Sequence, residues 1–279
     1  SFGIKTAPQH TTYDDMLKVW QEAEEIPSIE HAWLFDHFAP IQGDVSGPCL
    51  EGWTVLAAFA AVTKRMRLGL MVTGNTYRHP AVLAKIAATM DVISDGRLDF
   101  GIGAGWNVYE HESMGIPLYK PGERIRRLDE ACEIIKGLFT QPTLDFDGRY
   151  YQLKDARSEP KPVQKPYPPF VIGGSGEQLT LRVVAKHADI WNYTGPSVEE
   201  FTHKVRVLHD HCAVVGRDPG EIVLSYQHRL QADDLESSVS ELQRFVEAGA
   251  THIVLYLPTP HTDGIATRVA EEVIAKVSA

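Results

Sequence analysis

Cysteine is scarce in this chain: three in 279 residues, Cys49, Cys132 and Cys212, far apart and with no CxxC pair. An odd, scattered set suggests neither a disulfide framework nor a zinc knuckle. Cys132 falls in a helical pattern and reads as packing. Metal-ligand spacings are missing as well. There is no HExxH, and His209 and His211 stand two apart in a helical pattern, where side chains do not share a face. No metal site is expected. There is no GxSxG elbow and no evident Cys–His pairing.

No apolar run approaches the roughly 18 residues of a membrane span. The opening SFGIKTAPQH lacks the charged and apolar regions of a secretory signal, so the expected location is cytoplasmic, with no membrane partner. Positive charge is also in short supply. Lys and Arg number 27 against 37 Asp and Glu, giving a net charge of −10 that argues against nucleic acid as a partner. A local basic pocket for a phosphate stays compatible with that balance.

What is present is hydrophobic material, 43% of residues, laid out in a regular rhythm. Arg67–Trp106 shows it best. Arg67–Thr73 is an apolar run of strand length. Pro80–Ile93 carries apolar residues at 82, 83, 86, 87, 90 and 93, the spacing of a helix face. Leu98–Ile102 is a second strand, followed by a glycine cluster. The same alternation gives strands at Phe2–Lys5, Ala32–Phe35, Phe170–Ile172, Asp189–Tyr193, Ile222–Tyr226 and Ile253–Leu257. Helices fall between them, including Gly122–Phe139, one opened by Ser197 with Glu200 as a capping box, and a last one over Gly264–Val277. Thr140–Pro169 breaks the rhythm with a hairpin signal at Asp147-Gly148 and a proline-rich stretch. It reads as an excursion, because the alternation resumes directly. Eight strand–helix units predict an α/β fold, a (β/α)8 TIM barrel over residues 1–279 as one domain, in preference to an open doubly wound sheet.

In such a barrel the site lies at the C-terminal strand ends. Those ends carry Asp36-His37, Met71–Asn75, Gly103–Asn107, Gly173–Gly176, Tyr193–Gly195, Gln227-His228 and Leu257-Pro258. Gly173, Gly174, Ser175 and Gly176 precede a helix, where backbone N–H groups and the helix dipole suit a phosphate. A tight turn needing positive φ is the plainer reading, but Thr194-Gly195 on the next strand end favours the phosphate. Gly101, Gly103 and Gly105 have GxGxG spacing, not the GxGxxG of a dinucleotide fingerprint. They read as backbone flanking a ring system, or as crowding in the barrel. Asp36-His37 suits acid–base work, since a histidine's charge moves easily near neutral pH. A structural hydrogen-bonding pair is the alternative.

The runs WLFDHFAP, LGLMVTGNTYRHPAVLAKIAATMDVISDGRLDFGIGAGW, GERIRRLDEA, PFVIGGSGEQLTLRVVAKHADIWN and EAGATHIVL resemble the luciferase-like flavin/deazaflavin barrel superfamily, in particular probable coenzyme F420-dependent oxidoreductases of actinobacteria. The resemblance implies a barrel with an insertion after the fourth helix, at about 140–169, and a homodimer. It also implies a non-prolyl cis peptide at or next to Met71–Val72, bulging with Thr73 against the central ring of the cofactor. Asp36 would bond the ring or the reacting group, and His37 would lie at the reaction centre. Gly103 would flank the ring, Gly105 and Asn107 the tail or substrate side. Gly173, Gly174, Ser175, Thr194 and Gly195 would hold the phosphate.

Sugar-phosphate dehydrogenases of this superfamily carry an acidic Glu after the strand-four glycines. Trp106 and Asn107 stand there in this chain, which speaks against glucose-6-phosphate and leaves His37 to handle the proton. Trp53, Trp106, Tyr77, Tyr109 and Trp191 are candidate aromatic walls. The expected function is hydride transfer between F420 and a small organic molecule. The first alternative is a two-component monooxygenase using FMN, which must close a lid over its flavin; the Thr140–Pro169 excursion could serve either function. A non-catalytic deazaflavin binder is a third. A basic groove beyond the phosphate would favour the longer F420 tail, with Arg157, Lys161 and Lys165 as its candidates.

Overall fold

A computed structural model describes residues 1–231 and 234–278. In chain order it has β1 (Phe2–Lys5), α1 (Tyr13–Glu24), β2 (His31–Leu34), α2 (Gly52–Val62), β3 (Arg67–Leu70), β4 (Thr73–Gly74) and α3 (Pro80–Ile93). Then come β5 (Leu98–Gly103), a short α4 (Val108–Ser113), α5 (Pro121–Thr140), and the hairpin β6 (Leu144–Asp147) and β7 (Gln152–Ala156). The rest is β8 (Phe170–Gly173), α6 (Thr180–His187), β9 (Ile190–Tyr193), α7 (Val198–Val215), β10 (Val223–Arg229), α8 (Ser237–Glu247) and β11 (His252–Tyr256). The last helix is divided into α9 (Ile265–Val269), a π turn over Ala270–Ile274, and α10 (Ala275–Val277).

The main sheet runs β3-β2-β1-β11-β10-β9-β8-β5, and β3 pairs with β5 to close it. Its pairings are parallel, so the structure is a closed eight-stranded barrel with helices outside, the (β/α)8 fold. Closure is what excludes the open sheet. Several element ends lie one residue from the sequence expectation, and other departures are larger. The third strand stops at Leu70, is broken by a cis peptide at Met71–Val72, and resumes as β4. β10 runs three residues past Tyr226, because Gln227, His228 and Arg229 go on pairing with β11 although their polarity hides the strand. The final helix widens into its π turn at Ala270.

Local signals explain the long helices. Pro80 sits in the first turn of α3, where its missing N–H costs nothing, and the His79 side chain accepts from Ala81 N–H. The Ser197 hydroxyl caps α7 by accepting from Glu200 N–H, and Gly216 ends that helix in the left-handed conformation. Most of the core lies in the ring between strands and helices. A separate plug of Trp33, Met71, Val171, Ile190 and Val254 fills the barrel interior. The rings of His31 and His252 stack in the interior too, their centroids 4.0 Å apart.

The excursion after α5 leans on the outside of that helix. The Glu130 carboxylate accepts from the backbone N–H groups of Arg149, Tyr150 and Tyr151, and Asn75 Nδ2 donates to Tyr151 Oη at 3.3 Å. The three basic residues assigned to a cofactor groove do not form one. Lys161 donates to the carbonyls of Leu138 and Gln141, Lys165 to that of Pro162, and Arg157 pairs with Asp155. Long side chains in a proline-rich loop find nearby backbone acceptors, which composition alone does not reveal.

Candidate active site

A pocket of about 790 Å³ opens at the C-terminal ends of the strands. The expected residues Asp36, His37, Met71, Val72 and Thr73 line it, as do Gly103, Gly105, Gly173, Gly174, Thr194 and Gly195. Asn107 and Ser175 are not on its wall. Asn107 instead caps α4, its Oδ1 accepting from Glu110 N–H at 3.4 Å. Of the aromatic candidates, Tyr77 and Trp106 line the pocket, whereas Trp53 and Trp191 are buried and Tyr109 faces out. No described residue of the 140–169 excursion is on the pocket wall.

The reactive end is built on His37. Its Nδ1 lies 2.8 Å from Glu110 Oε2, a fully buried carboxylate carried by α4. Tyr77 Oη donates to the same oxygen at 2.5 Å, and Phe38 and Ala39 N–H donate to Oε1. Burial works against ionising Glu110, yet the bonds from His37, Tyr77 and Phe38 hold its pKa below the ordinary carboxylate value. Burial and the Glu110 carboxylate push the Tyr77 phenol up, so it stays a donor. With Nδ1–H committed to a carboxylate, Nε2 is the ring nitrogen that can take a proton from the pocket or return it. Trp106 stands edge-on 5.6 Å from the imidazole, and Phe35 edge-on at 4.9 Å. Sequence reasoning placed no acid here because Trp106 and Asn107 follow the glycines. The acid comes three residues later, and α4 turns it back onto His37.

Asp36 is spoken for within the protein. Arg78 Nη1 and Nη2 reach its two oxygens at 2.5 and 3.1 Å, and Thr73 Oγ1 also donates to it. Burial raises the Asp36 pKa, against the pull of Arg78 and Thr73. Arg78 also meets Glu51 at 2.5 Å. The pair therefore ties the end of β2 to β4 and leaves Asp36 little capacity for a ligand.

The glycines divide by purpose. A Cβ on Gly101 would lie 1.8 Å from Leu70 O, and one on Gly103 2.8 Å from Val72 Cγ2, so both make room for the bulge at Met71–Val72. This is crowding within the barrel wall, the plainer of the two sequence readings. Gly174 has φ +117°, and Gly195 leaves room for the Tyr193 phenol. Trp191 Nε1 fixes the first of these turns by donating to Gly174 O at 2.8 Å. Arg124, from the first turn of α5, joins these turns on the pocket wall, donates to Gly105 O, and keeps a buried Nε with no partner. A buried orphan donor beside glycine turns and threonine hydroxyls fits an anionic group. Far from the pocket, Asp129, Glu133 and His187 bring ligand atoms within 4.8 Å of one another, but Asp129 is already paired with Lys186 at 2.8 Å.

The chain is 33% identical to an uncharacterised protein of Mycobacterium tuberculosis over 245 residues, 86% of this chain and 82% of that one. It is 32% identical to an F420-dependent glucose-6-phosphate dehydrogenase of Microbacterium testaceum over 224 residues, 79% of this chain and 65% of the relative. The structure superposes on an F420-dependent secondary alcohol dehydrogenase solved with an F420–acetone adduct, with a TM-score of 0.87 at 19% identity, covering 99% of this chain and 98% of that one. The luciferase-like monooxygenase family profile matches residues 1–272, and the chain belongs to that family.

Proposed function

We propose that the protein is a coenzyme F420-dependent oxidoreductase acting on a small organic substrate. The observation that carries this reading is one pocket with two unlike ends. At one end, glycine turns, Thr180, Thr194 and the unpartnered Nε of Arg124 form an anion cradle. At the other, His37 is held by Glu110. F420, when bound, supplies two electrons as hydride. Gly173, Gly174, Thr194, Gly195 and Arg124 bind the phosphate and tail. Met71, Val72 and Thr73 back the ring, with Gly103 and Gly105 at its flank. His37 moves a proton at Nε2 to or from the substrate oxygen or carbon, and Glu110 and Tyr77 keep the imidazole oriented. Relatives 32–33% identical that are named F420-dependent glucose-6-phosphate dehydrogenases support the cofactor. Trp106 beside His37 supports a bulkier, more apolar substrate than a sugar phosphate.

Fluorescence titration with F420 and with FMN tests this. Micromolar or tighter F420 binding is expected. Tight FMN binding with none for F420 would replace the reading with oxygen chemistry on FMN, and binding of F420 without turnover across an alcohol and enone screen would leave a carrier. The exposed Val108, Tyr109 and Met114 around α4 support a homodimer, which sedimentation velocity checks.

A further inference from the structure

Lys5 is a charged side chain in an unexpected place. It ends β1 inside the barrel, is only 6% exposed, and lines the pocket. Its Nζ donates to Met71 O and to Gln227 Oε1, both at 2.9 Å. Both acceptors are neutral, and among the described residues no carboxylate pairs with it. Gln227 and Arg229 on β10 stand near it, as does Tyr256 on β11, whose ring centroid is 5.2 Å from Nζ, and Asp36, His37 and His228 line the same pocket. Asp36 is neutralised by Arg78. A buried ammonium with no counter-charge costs several kcal/mol, and a group so placed tends to lose its proton. Burial, and the Arg229 charge nearby, bring its pKa down to about 7. An ammonium offers three donors, and two are used. The third has no acceptor among the described residues, and Lys5 shares the pocket wall with Arg229 and Arg124.

Resting on the F420 reading above, we propose that Lys5 is the pocket's receiver of negative charge, an electrostatic positioning residue that favours the reduced over the oxidised cofactor. The balance is direct. Hydride brings two electrons and one hydrogen nucleus, so the reduced ring is one unit more negative than the oxidised ring until it takes up a proton. The substrate loses that hydride, and its hydroxyl proton leaves through His37. In the opposite direction each step reverses. Lys5 neither gives nor takes the hydride. It supplies the nearby positive charge, one hydrogen bond away from the Met71 carbonyl in the segment that backs the ring, and it is held charged by the ligand it serves.

The test is the midpoint potential of F420 bound to the wild type, to Lys5→Met and to Lys5→Gln, with dissociation constants measured for both redox forms. Lys5→Gln keeps hydrogen bonding without charge and serves if Lys5→Met folds poorly. Both variants are expected to lose about tenfold in affinity for reduced F420 relative to oxidised, which places the bound potential about 30 mV more negative. Between pH 6 and 8 the wild-type ratio should fall as Lys5 loses its proton, and the variants should lack that component. An unchanged ratio of affinities in both variants, with only the substrate KM altered, overturns the proposal and makes Lys5 a substrate contact. Failure of the wild type to bind F420 at all shows in the first titration, and overturns the cofactor reading together with this one.

Discussion

Glu110 Oε2 lies 2.8 Å from His37 Nδ1, joining residues 73 positions apart into one buried acid–imidazole pair. The carboxylate accepts from His37, Tyr77, Phe38 and Ala39, so it both fixes the imidazole and ties the β2 loop to α4. Glu110→Gln preserves shape but offers an amide, which reverses or breaks the bond to Nδ1. Turnover should fall by about a hundredfold or more while cofactor affinity stays within a fewfold of wild type. His37→Ala should bind cofactor equally well and lose turnover. Stopped-flow reduction and binding titrations separate the two effects, and unchanged turnover in either variant removes that residue from the proton path.

Arg124 carries the second prediction. A charge-assisted hydrogen bond is worth about 1.5–3 kcal/mol, or roughly ten- to a hundredfold in affinity. Arg124→Ala should weaken cofactor binding by that range and flatten its dependence on salt, with a loss of thermal stability of about 1 kcal/mol from its bond to Gly105 O, since Nε has no partner among the described residues. Titrations across a range of KCl concentrations check both. An unaltered dissociation constant would mean that the cradle formed by Gly173, Gly174 and Thr194 acts alone.

These two residues also show what the sequence could and could not disclose. Asp36, His37 and the glycine turns were legible because each terminates an apolar run, and strand ends in a closed parallel barrel share one face. Closure itself follows from the eight repeating units. Glu110 was missed because its role depends on α4, a helix of six residues too short to leave a periodic pattern. Lys5 was missed because a lysine ending the four-residue strand FGIK looks like a solvated strand end. Asn107 was misassigned for the opposite reason. A polar residue after a glycine cluster suits a binding loop and a helix N-cap equally, and only the position of Glu110 N–H distinguishes them. Arg157, Lys161 and Lys165 show that a basic composition says nothing of where long side chains end.

The strand-five glycines give a stability prediction. In Gly101→Ala the new methyl would meet Leu70 O at 1.8 Å, a backbone atom in the neighbouring strand that cannot swing aside. The expected cost is about 3 kcal/mol or more, seen as a lowered urea midpoint or as failure to fold. Gly115→Ala is the control. Its φ is +66° with nothing within 4 Å, so only the left-handed backbone opposes the methyl, at about 1 kcal/mol. Equal midpoints for the two variants would show that β3 and β5 yield at the bulge.

The stacked His31–His252 pair should make the protein acid-sensitive before its carboxylates titrate. Burial, the neighbouring imidazole, the N-terminal ammonium and Arg67 push His31 well below its usual value, and burial with the N-terminal ammonium brings His252 down to about 3. Their folded-state pKa values lie below the unfolded value of about 6.5. Above that pH both states hold neutral rings, and the pair has no effect. As pH falls from about 6.5 toward 3, the unfolded chain takes up protons that the native barrel refuses, so stability drops. Each ring lowers the folding constant by up to tenfold per pH unit. Between pH 6.5 and 5 most carboxylates stay ionised, which makes that window diagnostic. The less buried His79, His228 and His261 are shifted in the same direction and add to the slope, so the comparison must be internal. Urea midpoints at pH 7.5, 6 and 5 should fall steeply for the wild type and less steeply for His252→Gln, whose side chain can still meet the Ser225 hydroxyl that His252 Nδ1 contacts at 2.8 Å. Parallel slopes for the two proteins would assign the acid sensitivity to other groups.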